Sequence, residues 1–207
     1  MSANLIGFCP HGHLVCGPAT LKTGWLALAL INSFVRIPFL VLRQMVLPLP
    51  RMGVLETDVI PMRVWPNNID FNLHLNNGSY LSVMDYGRLH LLARAGVLKP
   101  ILKARWAPVV GAVWMTYRRS LPLFGRFELA TRLVCWDERW FYMEQVFTGD
   151  AGLVAIGWVK GALLKGSVTV APQQVMELVQ PGIMSPPLPE SIQIWNELTR
   201  EKLDGVR

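Results

Sequence analysis

The sequence predicts an α+β fold in which a curved antiparallel sheet wraps around one central helix. Three observations predict it. Tyr80, Met84, Gly87, Leu91 and Ala95 recur at helical spacing through residues 80–96, with Gly96 at the end. One short strand precedes that helix, at 56–65, and four extended stretches follow it, at 109–119, 127–137, 139–148 and 153–164. The order strand, loop, long helix, run of strands lacks the strand–helix alternation of a doubly wound sheet, so the helix must bury its apolar row against an antiparallel layer.

Taken in order, residues 1–53 form an N-terminal tail with an apolar helix. They include Lys22, Arg36 and Arg43 but no acid, the first being Glu56. Cys9, His11, His13 and Cys16 are zinc-type ligands, but their spacing is not that of a common structural site, and the run reads as a terminal tail with no metal. Residues 25–42 have barely the length to cross a bilayer and are interrupted by Asn32, Ser33, Arg36 and Pro38. Arg36 would be costly at the bilayer centre, so packing on the domain or peripheral membrane contact is expected instead of a span.

Residues 54–170 are the expected domain. In its second late strand Phe127, Leu129, Thr131, Leu133 and Cys135 share one face by alternation. Asp137 to Arg139 and Thr148 to Gly152 supply hairpin turns. Residues 171–207 are a Pro- and Gly-containing extension leading to a short helix near 190–202.

Composition narrows the function. The chain of 207 residues is 52% apolar and 16% charged, which excludes disorder and a charge-rich coiled coil. Eight Trp and nine Met suit a core or an acyl groove. A net charge of +6 permits a phosphate-bearing ligand or an anionic surface, but no finger spacing or concentrated basic stripe points to nucleic acid. Three cysteines make no disulfide framework, so a reduced, cytoplasmic setting or a cytoplasmic membrane face is expected.

The polar stretch from Asp70 to Tyr80 carries the chemistry. It ends where the main helix begins, and first-turn N–H groups without intrahelical partners can stabilise an oxyanion on an acyl carbonyl. Asp70 can then act on the same carbon as nucleophile, or activate water as base. Asn76, Asn77 and Ser79 also suit helix capping, and His74 suits a structural histidine. Asp85 has Arg88 at i+3, which fits an ion pair as well as catalysis, and His90 reads as structural or exposed. No G-x-S-x-G elbow exists, and Cys135 has no evident histidine partner.

The stretch from Arg63 to Tyr80, followed by LSVMDYGR to Arg88, resembles the hot-dog thioesterase superfamily. It is similar to the 4-hydroxybenzoyl-CoA thioesterase-like branch, more closely to the member-6-like proteins, and to plant acyl-carrier-protein thioesterases with their Asp-x-Asn-x-His-x-Asn-Asn-x-x-Tyr motif. The resemblance covers about 54–165. It implies a catalytic carboxylate at Asp70, with Asn72 orienting substrate or base and His74 assisting. It also implies a thioester-polarising amide at Asn77 beside Gly78, and a helix carboxylate near Asp85. Asn68 stands where several bacterial relatives carry a second acid.

The expected reaction is hydrolysis of an acyl-CoA thioester to a carboxylic acid and CoA, with no cofactor beyond the CoA of the substrate. Lys103, Arg105, Arg118 and Arg119 are the candidates for its phosphates. A non-enzymatic acyl-CoA or lipid-binding protein and an enoyl-thioester hydratase are the alternatives. Open sheet edges are ones that proteins pair or cover, and the resemblance implies at least a homodimer in which the partner contributes to each cleft.

Overall fold

The computed structural model describes residues 49–206; the Cys9 to Cys16 run and the apolar 25–42 segment lie outside them. Six strands form one antiparallel sheet: β1 (Asp58–Arg63), β2 (Ala107–Tyr117), β3 (Arg126–Trp136), β4 (Phe141–Gly149), β5 (Gly152–Lys165) and β6 (Val168–Val170). Their spatial order is β1-β3-β4-β5-β2, with β6 also on β5. The central helix α1 (Asn77–Arg94) lies against the sheet, and three shorter helices accompany it: α2 (Leu98–Ala104), α3 (Pro172–Glu177) and α4 (Glu190–Asp204).

The expected apolar row is the buried face of α1. Tyr80, Met84, Gly87 and Leu91 are all buried, and Tyr80, Val83 and Met84 pack on Leu129, Phe147 and Val159 of the sheet. Each such large side chain, fully buried, contributes about 1.5–3 kcal/mol. Gly87 permits the close approach: a Cβ there would lie 2.6 Å from Leu129 Cδ2 and 2.7 Å from Thr131 Oγ1. Beside it the buried Gln145 donates from Nε2 to the Met84 carbonyl and to Thr131 Oγ1, both at 3.0 Å, and accepts from Arg88 Nη1 at 2.8 Å. This inner polar group is therefore satisfied on both ends, as burial requires.

The alternation read along β3 holds from Phe127 through Leu129 and Thr131 to Leu133, all buried on the inner face. A bulge after Leu133 corrects the rest, turning Cys135 to the outer face, where it packs with Tyr142 and Ile192, and Trp136 inward. On the outer face of the sheet α4 is clasped by Lys160. Its Nζ donates to Asn196 Oδ1 at 2.7 Å and lies 5.0 Å from the Trp140 ring centroid. Asn196 in turn donates to the Tyr142 hydroxyl, which donates to Asp137 Oδ2.

Several expectations are corrected. The main helix starts at Asn77, not Tyr80, because the Asn76 side chain accepts the Gly78 N–H at 2.8 Å and caps it. Lys103 and Arg105 belong to a second helix, α2, and its left-handed cap at Arg105 (φ 55°). The Pro- and Gly-containing stretch after residue 170 contains α3, whose Val175 and Met176 are buried. His90, expected to be structural or exposed, is structural: its Nδ1 lies 2.5 Å from Asp58 Oδ2.

Asp58 is fully buried on β1 and also accepts from Arg94 Nη1 at 2.7 Å. Burial alone would push its carboxyl up, but hydrogen bonds from His90 and Arg94, together with their charges, hold it below its ordinary value. A carboxyl held low adds stability above the ordinary carboxylate range, and that stability is lost as pH falls through the depressed value. Arg94→Met should thus destabilise the domain by about 3–5 kcal/mol at neutral pH, by leaving a buried charge short of a partner. Urea unfolding across a pH series should show the gap from wild type narrowing in acid, and a constant gap would contradict the assignment.

Candidate active site

Residues 66–76 fold into a compact loop that returns to the start of α1. Ile69 and Leu75 form an isolated bridge, and the Asn76 N–H donates to the Asn68 carbonyl at 2.8 Å. Within it Asp70 closes a tight turn: its N–H donates to the His74 carbonyl at 2.9 Å and its own carbonyl accepts from Leu73 at 3.1 Å. Leu73 adopts φ 61°, a conformation that costs a non-glycine residue roughly 1–2 kcal/mol. Backbone strain of this kind persists where the surroundings over-determine it.

That turn positions the Asp70 carboxylate. Oδ1 accepts the backbone N–H groups of Asn72 at 2.9 Å and His74 at 3.3 Å. Oδ2 has no hydrogen bond among the described residues. Asn72 and His74 thus reach Asp70 through their main chains. Asn72 is exposed, and the His74 imidazole makes no hydrogen bond among the described residues.

At the helix start the donors divide unequally. Gly78 gives its N–H to Asn76 Oδ1, and those of Ser79 and Tyr80 go to the Asn76 carbonyl at 2.8 and 3.3 Å. The Asn77 N–H has no acceptor among the described residues. The Asn77 carbonyl accepts from the Tyr117 hydroxyl at 3.3 Å, which ties the end of β2 to this end of α1. Tyr80 beneath it has its hydroxyl pushed up to about 12 by burial and then by Tyr117, so it remains a neutral phenol. Cys135 is no nucleophile, since burial and then Asp137 push its thiol up to about 11.

Asp85 lies elsewhere. It pairs with Arg88, as the i+3 spacing suggested, about 12 Å along the helix from Asn77 at 1.5 Å per residue. Asp85 and Arg88 line an otherwise apolar cavity of about 250 Å³ between the later part of α1, the beginning of β2 and the helix α3. The cavity was not legible in the sequence, because α3 was not. Asp70 is not among its lining residues.

The basic candidates separate in the same way. Arg118 and Arg119 follow β2 at the Asn77 end, and the Arg119 guanidinium is engaged by the Ala151 carbonyl. Lys103 and Arg105 precede β2, next to the cavity end; all four are exposed. Among the described residues no group of three or more His, Cys, Asp or Glu is placed to hold a metal, and no helix is long and apolar enough to cross a membrane.

A curled antiparallel sheet on one long helix, with a polar loop at the helix start, defines the hot-dog thioesterase class. The chain belongs to the thioesterase-like superfamily, whose sequence profile matches residues 64–195. It is similar to Protein THEM6 of Danio rerio, at 36% identity over 149 residues, spanning 70% of this chain and 72% of that protein. Among solved structures it resembles the probable thioesterase YbaW of Escherichia coli, with a TM-score of 0.54 at 20% identity, covering 59% of this chain and 96% of YbaW. It also resembles the Staphylococcus aureus protein SAV2348, solved in complex with CoA. That match has a TM-score of 0.54 at 15% identity and covers 69% of this chain and 95% of the other.

Proposed function

We propose that the protein hydrolyses acyl-CoA thioesters to a carboxylic acid and CoA, at a site shared by two subunits. The observation that carries this reading is that, among the described residues, one oxygen of the Asp70 carboxylate and the Asn77 N–H at the start of the helix that this loop leads into are both without a hydrogen-bond partner. The Asn77 amide polarises the thioester carbonyl and takes up its developing negative charge. Asp70 draws a proton from a water that attacks the carbonyl carbon, or itself attacks that carbon to give an acyl-aspartyl anhydride that water then hydrolyses. In either route the C–S bond breaks, CoA leaves as the thiolate and takes up a proton from the water consumed. The bound CoA of SAV2348 supports the choice of CoA as carrier.

The layout along α1 supports sharing between subunits. One chain puts Asp70 at the beginning of the helix and the cavity at its later part. β2 runs antiparallel to α1 and is an edge strand with Val110, Val113, Trp114 and Tyr117 exposed. Such an open apolar edge is one that proteins pair or cover. Pairing β2 with its copy about a two-fold axis reverses the strand, so Asp70 and Asn77 of the partner subunit come to the cavity of this chain. The same operation puts Arg118 of the partner subunit near Lys103 and Arg105, giving the CoA phosphates cations from both chains.

A cytoplasmic location, or one on a cytoplasmic membrane face, fits such a substrate. An acyl-CoA-binding protein without turnover would use the same cavity. Purified protein with acetyl-, octanoyl-, palmitoyl- and benzoyl-CoA, with free thiol followed over time, tests the reaction. Steady thiol release is expected from at least one of them, and none from any would refute hydrolysis.

A further inference from the structure

The cavity beside Arg88 specifies more than an apolar ligand. Its walls come from α1, α3 and the strands β2, β3, β4 and β5, and the only polar side chains among its lining residues are Asp85 and Arg88. Those two engage each other, and Arg88 also donates to Gln145. Beyond them nothing is available to hydrogen-bond a hydroxyl or carbonyl on an acyl group, and an unpaired polar group buried there would cost about 1–3 kcal/mol. The rest of the chamber is therefore selective for hydrocarbon.

Its wall away from the β2 edge, on the side of β3 and β4, includes two side chains from outside the sheet. Val175 and Met176 of α3 are almost fully buried and pack with Leu133, Phe141 and Leu163. The short helix is held firmly: Trp136 Nε1 donates to Gln173 Oε1 at 3.0 Å, and Gln173 Nε2 donates to the Ile183 carbonyl at 2.7 Å. An apolar cavity of about 150 Å³ takes the six carbons of benzene, so a space of about 250 Å³ is on the scale of a chain of about eight carbons.

We propose that this cavity is the site for a saturated, unbranched acyl chain of about eight carbons, with Met176 and Val175 as the stop that sets its length. The inference rests on the thioester-hydrolase reading for its substrate but not for the cavity itself. Gly161 offers the opposite lever. A Cβ there would meet only the Val109 carbonyl oxygen at 3.4 Å and Met143 Cε at 3.5 Å, so valine takes up cavity space without displacing backbone.

The test uses the full chain and saturated acyl-CoAs from acetyl to palmitoyl, reading kcat/KM against chain length. In parallel, 1-anilinonaphthalene-8-sulfonate is displaced by free saturated fatty acids of the same lengths. Wild type should peak near octanoyl-CoA. Met176→Ala should move the optimum about two carbons longer, and Gly161→Val should move it shorter with about a tenfold loss on octanoyl-CoA, the scale of one mismatched methylene. If Met176→Ala does not fold, Val175→Ala takes its place. Hydrolysis with an unchanged length profile in both directions would overturn the stop while leaving the hydrolase reading intact. Length-dependent displacement that shifts with the variants, without any hydrolysis, would support the cavity and overturn the hydrolase reading. Absence of both would overturn both.

Discussion

Asp70→Asn should lower kcat by roughly 10²–10⁴-fold, the range typical of removing a positioned base, while leaving folding and substrate binding near wild type. The substitution keeps one oxygen to accept the Asn72 and His74 N–H groups that hold Oδ1 now, at 2.9 and 3.3 Å. The turn should therefore persist, including the left-handed Leu73. What is lost is the negative charge and the basic oxygen. Thiol release and equilibrium binding of a non-hydrolysable acyl-CoA thioether separate the two effects. Loss of turnover with unchanged binding assigns Asp70 to the chemical step. Retained turnover would place the chemistry elsewhere, with Asp85 the next carboxylate to substitute.

Val113→Lys should convert the protein to monomers and remove most of its activity. Val113 lies on the edge strand opposite the buried Val159 of β5, yet remains 37% exposed. A lysine on an edge strand is a device by which proteins prevent strand pairing. Its position, six residues after the start of β2 and four before the end, puts the charge in the middle of the proposed two-fold contact. Light scattering at micromolar concentration should show a dimer for wild type and a monomer for the variant, and kcat/KM should fall at least about a hundredfold, as expected when a reacting group is no longer held in place. A monomeric wild-type protein with full activity would refute the shared site.

Much of the architecture was legible because it rests on periodicity. The row from Tyr80 to Ala95 has the spacing of one helix face, and the alternation from Phe127 to Leu133 has the spacing of one sheet face; both are buried as expected, whereas the bulge that turns Cys135 to the other face leaves no mark on the pattern. Asp70 stood out because a cluster of polar residues interrupts an apolar chain. Features built by tertiary contact were not legible. His90 and Asp58 are 32 positions apart and meet only when α1 lies beside β1. The α3 segment, PQQVME, has too few residues to show a helical period and begins with proline. Its role as a cavity wall depends on the fold of the whole sheet. The division of the candidate residues between the two parts of α1 is likewise invisible in a motif, which orders residues along the chain and not around a site.

A complementation experiment tests the central claim most directly. Asp70→Asn retains the cavity but lacks the carboxylate, whereas Gly161→Trp fills the cavity but retains Asp70. Neither homodimer should hydrolyse octanoyl-CoA. Co-expressed with different affinity tags and purified as a mixture, the two chains should recover roughly a quarter of the wild-type rate, because half of randomly formed two-fold dimers would contain one intact site. A mixture no more active than its two components would contradict a site built from the cavity of one subunit and Asp70 of its partner.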